Sequence, residues 1–453
     1  MRASPIRCLI AASIFATLAR ADYRLPGGAT TVFEASREAF TQPLENLDPS
    51  SLAKFFSGDT LFNTNWVHAS SVVTSRDGLG PLFNTRSCSA CHFKDGRGSP
   101  PATGEIPNGL LIRVSSPGKQ ANGAPSPHPV YGNQLSVRSL PGIEPEAEVL
   151  VSYEEIVGSY PDGSKFRIQK PSYSFKELEY GTLGEFHFSP RVAPSVFGLG
   201  LLDSIPDEVL LKQSDPEDAD NDGISGRPNW VWSSSQSTKL LGKYGWKANK
   251  ATLLDQAAAA FQGDIGITSK LFPSENHTVQ QTAPTESPSG GNPEIGELDL
   301  EDVVFYLQSL APPASRFKTE ADYKKGYELF TQTKCASCHT PEFRTAKQAL
   351  IPALSGQTIH PYTDFLLHDM GKGLADNRPD FEATGSEWRT PPLWGIGLIP
   401  KVNGHTSLLH DGRARNIEEA ILWHGGEGEE SKRLFTLLNE QARANLIRFV
   451  ESL

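Results

Sequence analysis

Apolar side chains recur at helical spacing in six stretches: Thr31 to Phe40, Ser51 to Phe62, Pro206 to Leu211, Thr252 to Phe261, Glu297 to Leu310 and Ala321 to Thr331. A 3.6-residue repeat gathers such positions on one face, so each stretch predicts a helix with a buried side. The helix beginning at Glu297 must stop before Pro312-Pro313, because proline offers no N–H and clashes with the preceding turn. Elsewhere the period changes to two. Glu148 to Tyr153, Lys165 to Ile168 and Ser172 to Phe175 alternate around Pro161-Asp-Gly163 and predict a small β insert. The Gly-, Pro- and Ser-rich segments Phe93 to Ser139 and Gln280 to Pro293 read as an extended loop and a surface linker. The pattern as a whole predicts a mainly α chain with a small β insert and long loops. Its one internal echo is a pair of C-x-x-C-H motifs, Cys88 to His92 and Cys335 to His339, each preceded by a Leu-Phe dipeptide.

Length alters this picture first. At 453 residues the chain exceeds the roughly 250–300 residues over which one core grows, so more than one domain is expected. We place the boundary near Pro312, giving units over 22–311 and 312–453 with one motif in each. The first 21 residues stand apart. Arg2 and Arg7 precede a short apolar run, Cys8 to Leu18, and Ala19 and Ala21 hold small-residue cleavage positions. A signal peptide ending at Ala21 is the expectation, with the periplasm as destination. Its removal takes Arg2, Arg7 and Arg20 and no acid, lowering the formal charge of −11 by three. Nucleic acid is a poor partner for so acidic a chain. No later run approaches the ~20 apolar residues that span a bilayer.

Removal of Cys8 leaves four cysteines, all within the two motifs. A C-x-x-C pair can be a disulfide, a metal site or a haem attachment. The histidine directly after each pair favours haem: two thiols one turn apart can form thioethers with the vinyl groups, and the adjacent imidazole meets the iron. A zinc site would need no following histidine and normally uses pairs ~15–20 residues apart. We therefore expect two covalently bound haem c groups, held by Cys88, Cys91 and His92 and by Cys335, Cys338 and His339.

The C-terminal run Thr390-Pro-Pro-Leu393, Leu409-His-Asp-Gly412 and Glu418-Glu-Ala-Ile-Leu-Trp-His424 resembles the end of bacterial dihaem cytochrome c peroxidases. Those proteins place the methionine ligand of their electron-transfer haem where this chain has His424. Asp77 to Asn84, Ser189-Pro-Arg191, Gly198 to Asp203, Gly242 to Ala248, Tyr362 to Gly371 and His410 to Arg413 extend the likeness to the family of dihaem oxidoreductases described as peroxidases or thiol oxidoreductases. The resemblance implies two cytochrome c-like haem domains, with an open first haem that reacts with peroxide or another small oxidant. The second haem, His339/His424, would be fed by a small redox donor protein or the quinone pool. His128, Glu185 and His187 are candidates for the acid or base that moves the peroxide proton. A dihaem electron-transfer cytochrome without a substrate, and a dihaem oxygenase or protein-modifying oxidase, are the alternatives.

Asp218, Asp220 and Asp222, followed by Gly223, open like a calcium-binding EF-hand loop, but the twelfth position is Asn229 instead of a bidentate Glu. A shortened calcium loop and a solvated acidic turn both fit.

Overall fold

Five of the six predicted helices form in the computed structural model, which describes residues 23–69 and 71–453. They are α1 (Leu52–Asn63), a short turn of helix at Asp207–Leu211, α2 (Leu253–Ala260), α3 (Glu297–Ser309) and α4 (Glu320–Gln332). Caps set their starts. Thr252 accepts from Asp255 N–H and Thr319 from Asp322 N–H, satisfying donors that the first helical turn leaves open. The C-terminus adds α5 (Ile417–Trp423), a helix at Glu429–Leu437 and α6 (Glu440–Ser452). The expected signal segment lies outside the described residues.

Thr31 to Phe40 is not a helix. Val32 instead pairs with Pro313, its N–H donating to Pro312 O, so tertiary pairing overrides a weak local periodicity.

The expected mainly α, cytochrome c-like fold is also corrected: only 29% of the chain is helical and 18% is strand. Forty glycines and 34 prolines break the chain too often for long helices. The strands form small sheets. β1 (Leu110–Ser115) pairs antiparallel with β2 (Gln134–Leu135) and with β5 (His187–Val192), inside a stretch expected to be loop. β3 (Glu148–Ser159) and β4 (Lys165–Lys176) make the predicted hairpin, in register from Glu148 opposite Lys176 to Ser159 opposite Lys165.

The main core includes buried residues from Val32 to Leu453 and continues across Pro312. The N-terminal segment ties the two sides together. Leu44 N–H donates to Ser309 O, and His360 N–H donates to Pro26 O at 2.7 Å. No helix among the described residues is long and apolar enough to cross a membrane.

Candidate functional site

Each C-x-x-C-H motif folds as a single 3₁₀ turn, Cys88–Ala90 and Cys335–Ser337. His92 N–H donates to Cys88 O at 3.0 Å and His339 N–H to Cys335 O at 2.9 Å, which brings both thiols and the histidine of each motif onto one turn. The four cysteines are free. Burial pushes Cys88 up to about 12 and Cys91 and Cys335 to about 11, and raises Cys338. The free thiols therefore stay protonated at pH 7, unlike the acidic thiol of a thioredoxin-type site.

Both motifs open onto one cavity of about 760 Å³, which His424 also lines. The imidazoles share one arrangement. Nδ1 of His92 lies 2.7 Å from Pro194 O, that of His339 2.9 Å from Tyr362 O, and that of His424 2.7 Å from Ala420 O, one turn back in α5. Burial depresses all three, His92 and His339 to about 4, so the rings are neutral at pH 7. A neutral ring whose Nδ1–H donates to a carbonyl carries its lone pair on Nε2, the form in which histidine ligates a metal. His424 is close enough to His339 to oppose its protonation. These donor sets fit a haem at each motif.

The wall beside the first motif carries Arg113, Gln134 and Asp264. Arg113 on β1 lies opposite Gln134 on β2, which places both side chains on one face of the sheet. Gln134 Nε2 donates to Asp264 Oδ1 at 2.8 Å and to Gly263 O at 2.8 Å. Asp264 belongs to Phe261–Ile265, a π-helical turn that continues α2, a distortion frequent at functional sites. Burial raises the Asp264 carboxyl, and after burial Asp264 is the largest influence raising both Cys88 and Cys91. His277 lines the same cavity, its Nδ1 buried without a partner.

Beside the second motif, His368 is held between two carboxylates, Nε2 2.8 Å from Asp364 and Nδ1 2.6 Å from Glu427. Burial opposes its charge, but the Asp364 carboxylate beside it keeps the imidazole protonated well above its usual range. Met370 and His424 both line the cavity there and both flank Gly428.

The structure brings Cys88, Cys91, His92, Cys335, Cys338, His339 and His424 together on the cavity wall. It does not bring the expected acid–base residues there. His128 is buried and spent on backbone, with Nε2–H donating to Leu183 O at 2.8 Å and Nδ1 accepting from Val130 and Tyr131 N–H at 3.1 Å. Glu185 is exposed, and His187 is half-buried at the start of β5. Arg113, Gln134 and Asp264 escaped the sequence reading because they are isolated residues that only the sheet and the π turn bring together. In the acidic loop, carboxylate oxygens of Asp215, Asp218 and Asp220 lie within 4.8 Å of one another. Asp222 is outside this group, and all four carboxylates accept backbone N–H groups of the loop, Asp222 from Ile224 at 2.9 Å. Ser225 fastens this loop to Glu427, its hydroxyl donating at 2.6 Å.

Two histidine-bearing cysteine turns facing one internal cavity define a protein built to hold two haems. Residues 21–453 match the family described as "Di-haem oxidoreductase, putative peroxidase", and the chain belongs to that family. It is thus a di-haem oxidoreductase. Among solved structures, the Kuenenia stuttgartiensis hydrazine synthase pressurised with 20 bar xenon aligns over 91% of this chain and 95% of that one. At 14% identity and a TM-score of 0.32, that likeness is too slight to carry an argument. No curated protein matches the chain.

Proposed function

We propose that the chain is a peroxidase-like c-type enzyme in which the first haem reacts with the oxidant and the second supplies electrons from an external donor. Thioethers at Cys88 and Cys91 and at Cys335 and Cys338 would hold the groups, with Nε2 of His92 and His339 directed to the irons and His424 completing the second site. A haem with an open position supplies the redox chemistry that splits a peroxide bond.

The observation that carries this reading is the Asp264 carboxyl beside the first motif. Burial holds it above the ordinary carboxylate range, so Oδ2 can keep and release a proton nearer neutral pH than an exposed aspartate. Gln134 holds Oδ1 and thereby orients the group. Asp264 takes the acid–base part, moving a proton to or from a peroxide oxygen in the cavity.

Optical and electron paramagnetic resonance spectra of the half-reduced holoprotein test this. The expected result is one high-spin haem that reacts with hydrogen peroxide. Asp264→Asn should lower the bimolecular rate by about 10²–10⁴-fold at unchanged haem content. Two low-spin haems inert to peroxide would sink the reading. His277, which lines the same cavity with Nδ1 unpartnered, would then be the residue to hold the first haem together with His92 in the electron-transfer alternative, and His277→Ala would convert that haem to high spin.

A further inference from the structure

The chain is acidic, with 53 Asp and Glu against 42 Lys and Arg, yet its cavity inverts that balance. Nine Lys and Arg residues and three carboxylates line it. Most of the nine are held by backbone carbonyls or by acids; Arg191 and Arg378, for example, both bind Asp380. Three differ: Lys334, which directly precedes the second motif, and the pair Arg113 and Lys250. Among the described residues none of the three makes a hydrogen bond or an ion pair through its side chain; Lys250 has only the Phe272 ring, 5.6 Å from its Nζ.

Of the acids that influence the pair, Asp380 and Asp255 are committed elsewhere, and Asp264 keeps only Oδ2 free, on a carboxyl that burial raises. Asp380 Oδ2 already accepts from Arg191, Arg378 and Asn249 at 3.0–3.2 Å. Asp255 accepts from Ser233 Oγ, Ser235 N–H and Thr252. Asp264 has one oxygen on Gln134. Arg113 and Lys250 are near enough to each other that the Arg113 charge disfavours the Lys250 cation. Both cations are half-buried on the cavity wall, and two like charges held close there are costly unless an anion joins them.

We infer that Arg113 and Lys250 form a carboxylate-binding site on the first-motif side of the cavity. A guanidinium offers two parallel N–H donors that match the two oxygens of a carboxylate, and the neighbouring ammonium adds a point charge. Phe272 lies beside Lys250, and Phe62 and Phe261 line the same cavity, so the carboxylate belongs to a molecule with an apolar body. Two sources have that chemistry: a propionate of the first haem, or a free aromatic or fatty carboxylate entering as ligand. The inference rests on two haems being bound, and it does not require the first to be catalytic.

The test uses holoprotein of wild type, Arg113→Gln, Lys250→Gln and the charge-keeping Arg113→Lys, each with its haem content measured. Spectroelectrochemical titration gives both reduction potentials, and benzoate titration at low salt is followed in the Soret band. Without a cation the oxidised haem is less disfavoured. If the carboxylate is a propionate, the first-haem potential therefore falls in both Gln variants and holds in Arg113→Lys, and benzoate has no effect on wild type. If it is a free ligand, benzoate saturates wild type, and its Kd rises at least tenfold in each Gln variant. Potentials identical to wild type in both Gln variants, with no benzoate response, overturn the site. Should the potentials shift while peroxide leaves the protein unchanged, the carboxylate site stands and the peroxidase reading falls.

Discussion

His92, His339 and His424 are placed by one device, a backbone carbonyl that captures Nδ1 and leaves Nε2 for the cavity. For His424 the carbonyl belongs to the preceding turn of its own helix, so the orientation of its ring is locally encoded once α5 forms. His424→Ala should convert the second haem from low to high spin and leave the first unchanged, while Met370→Leu should alter neither; the opposite pattern would assign Met370 as the ligand. Asp95 tests the electrostatics of the fold. Its Oδ2 accepts from Tyr306 OH at 2.8 Å, its Oδ1 is buried without a partner, and burial raises the carboxyl to about 8. A raised folded pKa means that the native state binds the extra proton. Stability is therefore greatest below the unfolded value near 4 and is lost as pH rises toward 8. Asp95→Asn should flatten that decline between pH 5 and 8, a change of about 1–3 kcal/mol readable in chemical denaturation. An identical pH slope in the variant would contradict the assignment.

Elements meet closely where a side chain is missing. Gly326 of α4 lies against α6, and a Cβ there would sit 2.5 Å from Phe449 Cβ, inside a cluster where Phe449 also contacts Phe317, Tyr323 and Phe330. Gly326→Ala gains up to ~1 kcal/mol of helix propensity. It must also force apart two packed helices, at a cost of about 1–3 kcal/mol. We expect a net loss of stability in urea titration, with exposed Lys325→Ala as the near-neutral control; a gain in stability for Gly326→Ala would show that the helices can separate freely. Periodicity revealed α3, α4 and the hairpin because each buries one face of a regular element. It missed β1 and β5, whose ladder joins Leu110–Ser115 to a strand beginning at His187. Such long-range pairing leaves no local mark in a Gly- and Pro-rich stretch.

Across the whole molecule, the core passes through Pro312 and both motifs share one cavity, so the proposed division there is one of haem sites joined in a common interior. The acidic loop reaches that interior through Ser225, Glu427 and His368. If calcium occupies Asp215, Asp218 and Asp220, chelation should lower the melting temperature by a few degrees and perturb the second haem band, calcium should restore both, and Asp218→Asn should abolish the response. Insensitivity to chelator would leave a solvated acidic turn.

The sequence alone determined the two Cys-x-x-Cys-His turns, because five consecutive residues carry their chemistry, and it pointed to His424 through the surrounding C-terminal motif. The overall balance of helix and strand was not legible, since scattered glycines and prolines interrupt helices without revealing which distant strands will pair. The neighbourhood of the first motif was decided only in three dimensions. Arg113, Gln134, Lys250 and Asp264 have no spacing in common, and their meeting depends on one cross-strand register and one π turn. The donor set of each motif is a local property of the chain; the reactivity of the cavity is a property of what the fold brings beside it.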